Sequence, residues 1–195
     1  MDQYNYCISR ARNKWIIFID ADEEISSNLY REIMQRVETD SDEYDGYIIH
    51  RRTFYLGRWI MHGGWIPDYE IRLFKKSMGA FEGGLHAKVV VQGKVGTLNN
   101  FYYHYNYKDI ADQIDTINNY SDTAARDMIA DGRKFSLTDL LFRPPFRFIK
   151  EYLFKRGFMD GLPGFVIAVS TAYYVFIKYS KLWELQKGLK EKEQK

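Results

Sequence analysis

The chain has 195 residues, a formal net charge of +2, 46% apolar residues and 28% charged residues. Its aromatic fraction of 17% excludes an intrinsically disordered chain, and its length is sufficient for one domain with an appendage. A single cysteine, Cys7, excludes an internal disulfide, and the first 20 residues lack the order of a signal peptide, so the cytoplasm is the expected compartment.

The first predicted elements belong to an α/β fold. Residues 15–19 are an apolar run, which predicts a buried strand typical of a parallel sheet. This run ends in the acidic residues 20–24. An amphipathic helix is predicted next, with Ser26 or Ser27 as its N-cap, from apolar residues that recur every four positions: Ile25, Leu29, Ile33 and Val37.

The middle and the end of the chain differ in pattern. Short β-like segments separated by glycine and proline predict an antiparallel region at residues 47–55, 69–76, 87–92, 94–98 and 101–105. Helical periodicity then predicts a helix from Lys108 to Gly132, with a shared face of Ile110, Ile114, Ile117, Ala124 and Met128. A break is expected at Pro144 and Pro145, followed by a helix at 146–158 and a long helix from 161 to about 190.

The acidic residues after the first strand indicate a cation site. Ligands of open α/β sheets bind beyond the carboxyl ends of the strands, and Asp20 and Asp22 would project the same way from an extended segment. Two carboxylates suit Mg²⁺ or Mn²⁺, with water and a substrate diphosphate as further ligands. The alternative is that residues 22–24 only stabilise the positive N-terminus of the next helix.

Four ordered blocks of the sequence resemble family 2 glycosyltransferases of the GT-A fold. They are the Asp-Xaa-Asp region at 15–26, an acceptor-side segment at 64–74, Leu85-His86 with a strand and Gly93 after it, and the aromatic segment 104–107. The ending, residues 152–184, is similar to the C-terminal helices of lipopolysaccharide-core β-1,4-glucosyltransferases. This resemblance implies a partial GT-A domain at 1–107 and a helical extension at 108–195.

By this resemblance, the protein would transfer a sugar from a nucleotide-sugar donor to a glycan or glycolipid hydroxyl, with inversion. Asp20 and Asp22 would bind a divalent cation and the donor, and Arg72 would contact the donor phosphate or form a structural ion pair. The catalytic base would be Asp68 or Glu70. The alternative is that these two residues only form a polar turn before a strand. Acceptor contacts are expected from Trp65 and Tyr69.

Two departures from the family pattern put activity in question. Many relatives have a glutamate after the histidine that corresponds to His86, and this chain has Ala87. If that glutamate is the usual base, its role here is either vacant or taken by Asp68, Glu70 or Glu82. His86 could be a third metal ligand or a structural histidine. Only 14 residues precede Trp15, whereas the family's nucleotide-binding half is built of βαβ units of about 30 residues or more. Three explanations remain open: the chain is a fragment of a longer enzyme, a partner chain supplies the missing half, or the reading frame is truncated and its product inactive.

The C-terminal segment predicts contact with a membrane. Residues 1–142 carry 17 basic and 21 acidic side chains, and residues 143–195 carry 11 and 5. The uncharged run 161–177 is short for a bilayer span, which needs about 20 apolar residues, so a helix lying on an anionic inner leaflet is favoured over a spanning one. Packing on the catalytic body is the alternative. Nucleic acid is not expected, because the cationic residues are scattered rather than clustered.

The sequence therefore predicts a metal-assisted, inverting glycosyltransferase acting at the cytoplasmic face of the plasma membrane on lipopolysaccharide core or a similar surface glycan. A noncatalytic remnant or membrane-associated interaction module is the main alternative. A third is a transferase with a polyprenyl-phosphate acceptor.

Overall fold

The computed structural model describes residues 3–39, 43–83 and 87–193. These residues form two compact units. The first comprises Met1–Phe54 and Pro67–Asn106, and the second comprises Tyr55–Ile66 and Tyr107–Lys195. Within the second unit, Tyr55 and Ile60 of the segment 55–66 pack in one buried cluster with Ile167 near the C-terminus.

The first unit is a mixed α/β structure, as the sequence predicts. Its helices are α1 (Gln3–Arg10) and α2 (Ser27–Thr39). Its strands are β1 (Trp15–Ile17), β2 (Glu23–Ile25), β3 (Gly46–Tyr55), β5 (Tyr69–Lys75), β6 (Gly79–Glu82), β7 (Lys88–Val91) and β8 (Val95–His104), and the two-residue strand β4 (Arg58–Trp59) lies in the second unit.

The strands form a sheet in the order β1-β5-β3-β8-β2, with β6 and β7 as a separate antiparallel pair. In the part of the chain that the structure describes, β3 and β8 pair in parallel, whereas the pairs β1–β5, β3–β5 and β2–β8 are antiparallel. The prediction that residues 15–19 form a buried parallel strand was wrong. β1 ends at Ile17, pairs antiparallel with β5 and keeps partly exposed side chains, because it lies at one end of the strand order.

The core of this unit lies between α2 and the sheet. Leu29 and Ile33 of α2 pack in one buried cluster with Tyr47, Ile49, Leu73, Leu98 and Tyr102. Ser26 caps α2, since its Oγ accepts a hydrogen bond from the Leu29 backbone N–H at 3.2 Å and donates to the Phe101 carbonyl at 2.6 Å. Glu23 and Glu24 do not start this helix, because both lie in β2 and pair with β8.

β8 is one strand of ten residues where the sequence predicts two shorter ones. Asn99 and Asn100, which interrupt the apolar pattern, are held by the Glu32 carboxylate. It accepts from both backbone N–H groups at 2.9 Å and from both side-chain amides. These hydrogen bonds lower the pKa of Glu32 although partial burial opposes them. Gly96 leaves space for the rings of Tyr44 and Tyr47, where a Cβ would come within 3.1 Å of each.

The second unit is helical. Its long helices are α3 (Ile110–Ala130), α4 (Leu137–Ile149) and α5 (Gly161–Glu193), and a π turn (Lys150–Phe154) and a 3₁₀ turn (Gly157–Asp160) connect α4 to α5. The predicted helix after Lys108 is confirmed, with Asp109 as its N-cap. Its predicted face is confirmed only in part. Ile117 is buried and Met128 packs against a buried cluster, whereas Ile110 and Ile114 are exposed. The other buried side chains of this helix are Gln113, Ser121 and Ala125.

The predicted break at Pro144 and Pro145 is also wrong, because both prolines lie inside α4. Each removes one intrahelical N–H donor, a cost that usually ends a helix. The helix continues because it packs against α5, with Leu140 in the cluster around Ala125, Tyr179 and Leu182. The predicted helix at 146–158 is instead the end of α4 and the two short turns.

The π turn buries a carboxylate. Glu151 is fully buried, with Arg147 Nε at 2.9 Å from one oxygen and Lys155 Nζ at 3.7 Å from the other. A Cβ on Gly64 would lie 2.0 Å from this carboxylate, so only glycine fits there.

The long C-terminal helix α5 was predicted correctly from the sequence. Residues 157–188 are long and apolar enough to cross a membrane, with a mean hydropathy of 1.4 in the best window, a property also found in core helices of soluble proteins. Only 22% of that window is buried in the structure.

We expect Ser26→Ala to lower the free energy of unfolding by about 1–2 kcal/mol, because the cap on Leu29 is lost and the Phe101 carbonyl loses its donor. Ser27→Ala, at the adjacent exposed position, is the matched control and should change stability by less than about 0.5 kcal/mol. Urea denaturation followed by circular dichroism measures both. Equal effects would show that Ser26 is not the cap.

Candidate active site

The segment between β1 and β2 carries the Asp-Xaa-Asp sequence on a turn. The Glu23 N–H donates to the Asp20 carbonyl at 3.1 Å, and the Asp20 N–H donates to Glu23 Oε2 at 3.0 Å. The expectation of an extended segment with both aspartates on one side was therefore wrong. The turn gives the two carboxylates different partners, which lie on β5 and β8.

Arg72 of β5 is the centre of a carboxylate cluster. Its guanidinium Nη2 lies 3.0 Å from Asp20 Oδ2, 2.9 Å from Glu23 Oε1 and 3.0 Å from Glu70 Oε2. Its Nε donates to the Tyr102 hydroxyl at 3.3 Å. The residue is only 4% exposed, and the surrounding negative groups raise the pKa of Arg72 despite its desolvation. Its donors are thus used by protein carboxylates, as in the structural ion pair that the sequence allows.

A second arginine completes the cluster. Arg51 of β3 donates from Nε to Asp68 Oδ2 at 2.6 Å, and its Nη1 lies 3.6 Å from Glu23 Oε1. The Glu23 side chain is fully buried between the two arginines, and desolvation is the main cause that raises the pKa of Glu23. The carboxylates around the two arginines outnumber them, so this part of the first unit favours a further positive charge.

Asp22 has a separate partner on β8. Its Oδ2 lies 3.2 Å from His104 Nε2, and its backbone carbonyl accepts from the Tyr105 N–H at 2.9 Å. Burial and the nearby Arg51 lower the pKa of His104, which favours the neutral ring and a hydrogen bond to Asp22 over a full ion pair. Asp20 and Asp22 both keep almost half of their side-chain surface exposed, at 45% and 47%.

A cavity of about 440 Å³ opens beside this cluster. Asp20, Glu70, Tyr69 and Arg72 line it, so four of the predicted site residues come together. Its other walls are formed by Tyr4, Phe18, Ile48, Arg51, Ile71, Phe81, Ala87, Lys88 and Val89. A half-enclosed space with several convergent charged groups is the usual form of a ligand site.

Comparisons with known proteins agree on the family. The family model for glycosyl transferase family 2 matches residues 2–105, more than half of the chain. The chain belongs to glycosyl transferase family 2. Its fold, with the α/β unit and the C-terminal helices, is consistent with the partial GT-A domain that the sequence predicts.

Relatives match nearly the whole chain. An uncharacterized glycosyltransferase of Rickettsia typhi is 31% identical over 194 residues, which are 94% of this chain and 66% of the relative. The lipopolysaccharide core biosynthesis glycosyltransferase LpsC of Rhizobium meliloti is 26% identical over 190 residues, 93% of this chain and 68% of LpsC. The chain thus spans about two thirds of the length of these family 2 proteins.

Other predicted residues of the family 2 site lie elsewhere. Asp68 does not line the cavity and is held by Arg51. Trp65 belongs to the second unit, where its ring packs against Tyr55 and Tyr107. His86 lies outside the described residues.

Ala87 lines the cavity, at the position where the family resemblance implies a glutamate. The wall there offers a methyl group, and Asp20 and Glu70 are the carboxylates that line the same cavity. Glu82 pairs in register with Lys88 on the β6–β7 ribbon and is not among the lining residues.

Asp20 and Asp22 have the right chemistry for the divalent cation that the family implies. Each uses one oxygen, Oδ2, in a contact with Arg72 or His104, and each is half exposed. Hard oxygen donors that leave room for water and phosphate are what Mg²⁺ and Mn²⁺ require. The described residues contain no group of three His, Cys, Asp or Glu that would hold a metal without such added ligands.

Sequence reasoning missed four residues of this cluster: Glu23, Arg51, Tyr102 and His104. Glu23 was seen only as part of an acidic run, and Arg51 only as part of a strand. A usable signal was present in the charged residues inside otherwise apolar strands, since a buried charge requires a partner of opposite sign. That these residues meet in one cluster around Arg72 could not be found without the register of β3, β5 and β8.

We expect Arg72→Met to destabilise the protein by about 3–5 kcal/mol, because the buried Glu23 loses its closest cation. Arg31→Met, at an exposed position on α2, is the control and should have little effect. The double variant Arg72→Met with Glu23→Gln should recover part of the loss, since the unpaired charge is then removed. Urea unfolding of the unmodified chain, both single variants Arg72→Met and Glu23→Gln, the double variant and the control measures the coupling, and additive losses would contradict this account.

Proposed function

We propose that this protein transfers a sugar from a nucleotide-diphosphate donor to a hydroxyl group of lipopolysaccharide core or a similar surface glycan, with inversion at the anomeric carbon. The observation that carries this proposal is the cavity in which Asp20 and Glu70 meet beside Arg72. Family membership supports the reaction class, and the relative LpsC, whose name specifies lipopolysaccharide core biosynthesis, supports the acceptor.

On the donor side, we propose that Asp20 and Asp22 hold Mg²⁺ or Mn²⁺ together with the donor diphosphate. The cation would neutralise the charge that develops on the leaving nucleoside diphosphate. Arg72 fixes Asp20 in place and His104 fixes Asp22. The base and ribose of the donor are left to residues beyond those that line this cavity, on the same polypeptide or on a partner chain.

On the acceptor side, we propose Glu70 as the base that takes the proton of the attacking hydroxyl. It lines the cavity, its side chain is 45% exposed and its known contact with Arg72 is through one oxygen, Oε2. Asp68 is less suited, because Arg51 binds it through two nitrogens and Asp68 does not line the cavity. Tyr69, which is exposed and lines the same cavity, offers a ring face for a sugar.

The expected location is the cytoplasmic face of the plasma membrane, where nucleotide sugars and a lipid-linked acceptor meet. The alternative of a noncatalytic chain is favoured by one observation, the methyl group of Ala87 in the cavity wall. Measurements of cation binding and of transfer distinguish these two functions.

We expect the chain to bind Mn²⁺ more tightly when inorganic pyrophosphate is present, since the diphosphate supplies further oxygen ligands. Asp22→Asn should weaken this binding by about tenfold or more, about 1.4 kcal/mol. Glu24→Gln is the matched control, because it removes a carboxylate from the same acidic run. The Glu24 carboxylate accepts a hydrogen bond from the Tyr105 hydroxyl. Electron paramagnetic resonance of free Mn²⁺ gives both values, and equal binding by all three proteins would rule out this cation site.

We expect Glu70→Gln to lower kcat for sugar transfer by about 10²–10⁴-fold, the usual contribution of a general base. Asp68→Asn should act on stability more than on kcat, since it breaks the ion pair with Arg51. Transfer from a panel of nucleotide sugars to isolated lipid A-core, followed by mass spectrometry, measures both. If Glu70→Gln retained the rate of the unmodified chain, another group would be the base. If no chain transferred sugar or bound Mn²⁺, the noncatalytic alternative would hold.

A further inference from the structure

Many large apolar side chains are exposed around the connection between α4 and α5 in the second unit. Phe154 is 74% exposed and Leu162 is 72% exposed, which is unusual for such residues in a folded unit. We call the following exposed residues the apolar surface: Phe142, Phe146, Ile149, Leu153, Phe154, Phe158, Met159 and Leu162.

These residues follow one continuous stretch of structure. Phe142, Phe146 and Ile149 share one face of α4 and line the same open groove of about 580 Å³. The π and 3₁₀ turns continue the surface, and ring contacts join these elements to each other. Phe148 stacks on Tyr152 at 5.3 Å between ring centroids, and Tyr152 contacts Phe158 at 6.3 Å and Phe165 at 5.6 Å.

The most exposed charged residues of this region are cationic. Exposed cationic residues lie within it, at Arg143, Lys150 and Arg156. Arg156 has a positive φ of 58°, uncommon for a residue with a side chain, and lies at the reversal between the two turns. Among the acidic residues of the same stretch, Glu151 and Asp160 are fully buried, and Asp139, which lines the groove, is paired with Arg133 and Arg143.

The opposite side of α5 is occupied by α3 along most of its length. Ser170 donates to Gln113, Lys181 contacts the Asn118 carbonyl at 2.7 Å, and Tyr179 is buried beside Ala125. α3 itself carries exposed polar side chains, so this helix pair does not present apolar surface on all sides as a bilayer span requires.

We propose that the apolar surface docks into the headgroup region of an anionic lipid bilayer, with α4 and the beginning of α5 lying along the interface. Apolar side chains interspersed with accessible cations match a layer of apolar chains beneath anionic headgroups. A second copy of the same surface would bring like charges together, so it is a poorer partner. The inference does not depend on the proposed sugar transfer, because it concerns the second unit alone.

The test is flotation of the full chain with vesicles. The protein is synthesised in a cell-free reaction in the presence of phosphatidylcholine vesicles, with or without phosphatidylglycerol, and centrifuged through a sucrose gradient. We expect the unmodified chain to float with the anionic vesicles at low salt. The double variant Phe154→Ser with Leu162→Ser should reduce the floating fraction about tenfold. Both positions are already exposed, so the fold should be retained.

Tyr120→Ser is the matched control, an aromatic residue 66% exposed on α3 outside the apolar surface, and it should float like the unmodified chain. Lys150→Gln with Arg156→Gln should lower binding to anionic vesicles and leave binding to neutral ones unchanged. The proposal is overturned if the unmodified chain does not float, or if the double apolar variant floats equally well. It is also overturned if light scattering shows that this variant dissociates an oligomer while vesicle binding is unchanged, since the surface would then join two copies.

Discussion

The buried contact between Arg72 and Glu23 is the constraint on which the candidate site depends. It joins the turn after β1 to the middle of β5, and the Tyr102 hydroxyl joins β8 to the same guanidinium. Removal of two opposite charges from water is costly unless both are paired and hydrogen bonded. The pairing therefore requires the register in which β1, β5 and β8 bring these residues together, and the accessible carboxylates Asp20 and Glu70 take their positions from it.

This arrangement separates two uses of carboxylates. Arginines pair with Glu23, which is fully buried, and with Asp68, which is mostly buried. Asp20, Asp22 and Glu70 contact Arg72 or His104 and yet keep almost half of their side-chain surface exposed. A glycosyltransferase needs both kinds, since a leaving diphosphate has to be stabilised by groups that do not move during the reaction. The proposed roles of these residues follow from how far each side chain is exposed and from what contacts it. They do not follow from residue type, because all five side chains are carboxylates.

The sequence predicted most elements, the family and four of the residues that line the cavity. Local patterns were sufficient for α2 with its Ser26 cap, for α3 and for α5, because capping and periodicity act over a few residues. The errors arose where distant contacts override local preference. α4 continues through Pro144 and Pro145 because it packs on α5, and β8 continues through Asn99 and Asn100 because Glu32 binds them. The partners of Asp20 and Asp22 were likewise set by strand register, which no local pattern contains.

The contact of Gly64 with the buried Glu151 has a consequence for how the chain can vary over time. Any side chain at position 64 would occupy the space of the Glu151 carboxylate. A substitution there is tolerable only if residue 151 becomes shorter, and the cations Arg147 and Lys155 would then lose their shared partner. Gly64 and the three closely spaced residues Arg147, Glu151 and Lys155 are therefore expected to be inherited together, so that related chains either keep the whole set or replace it as a whole.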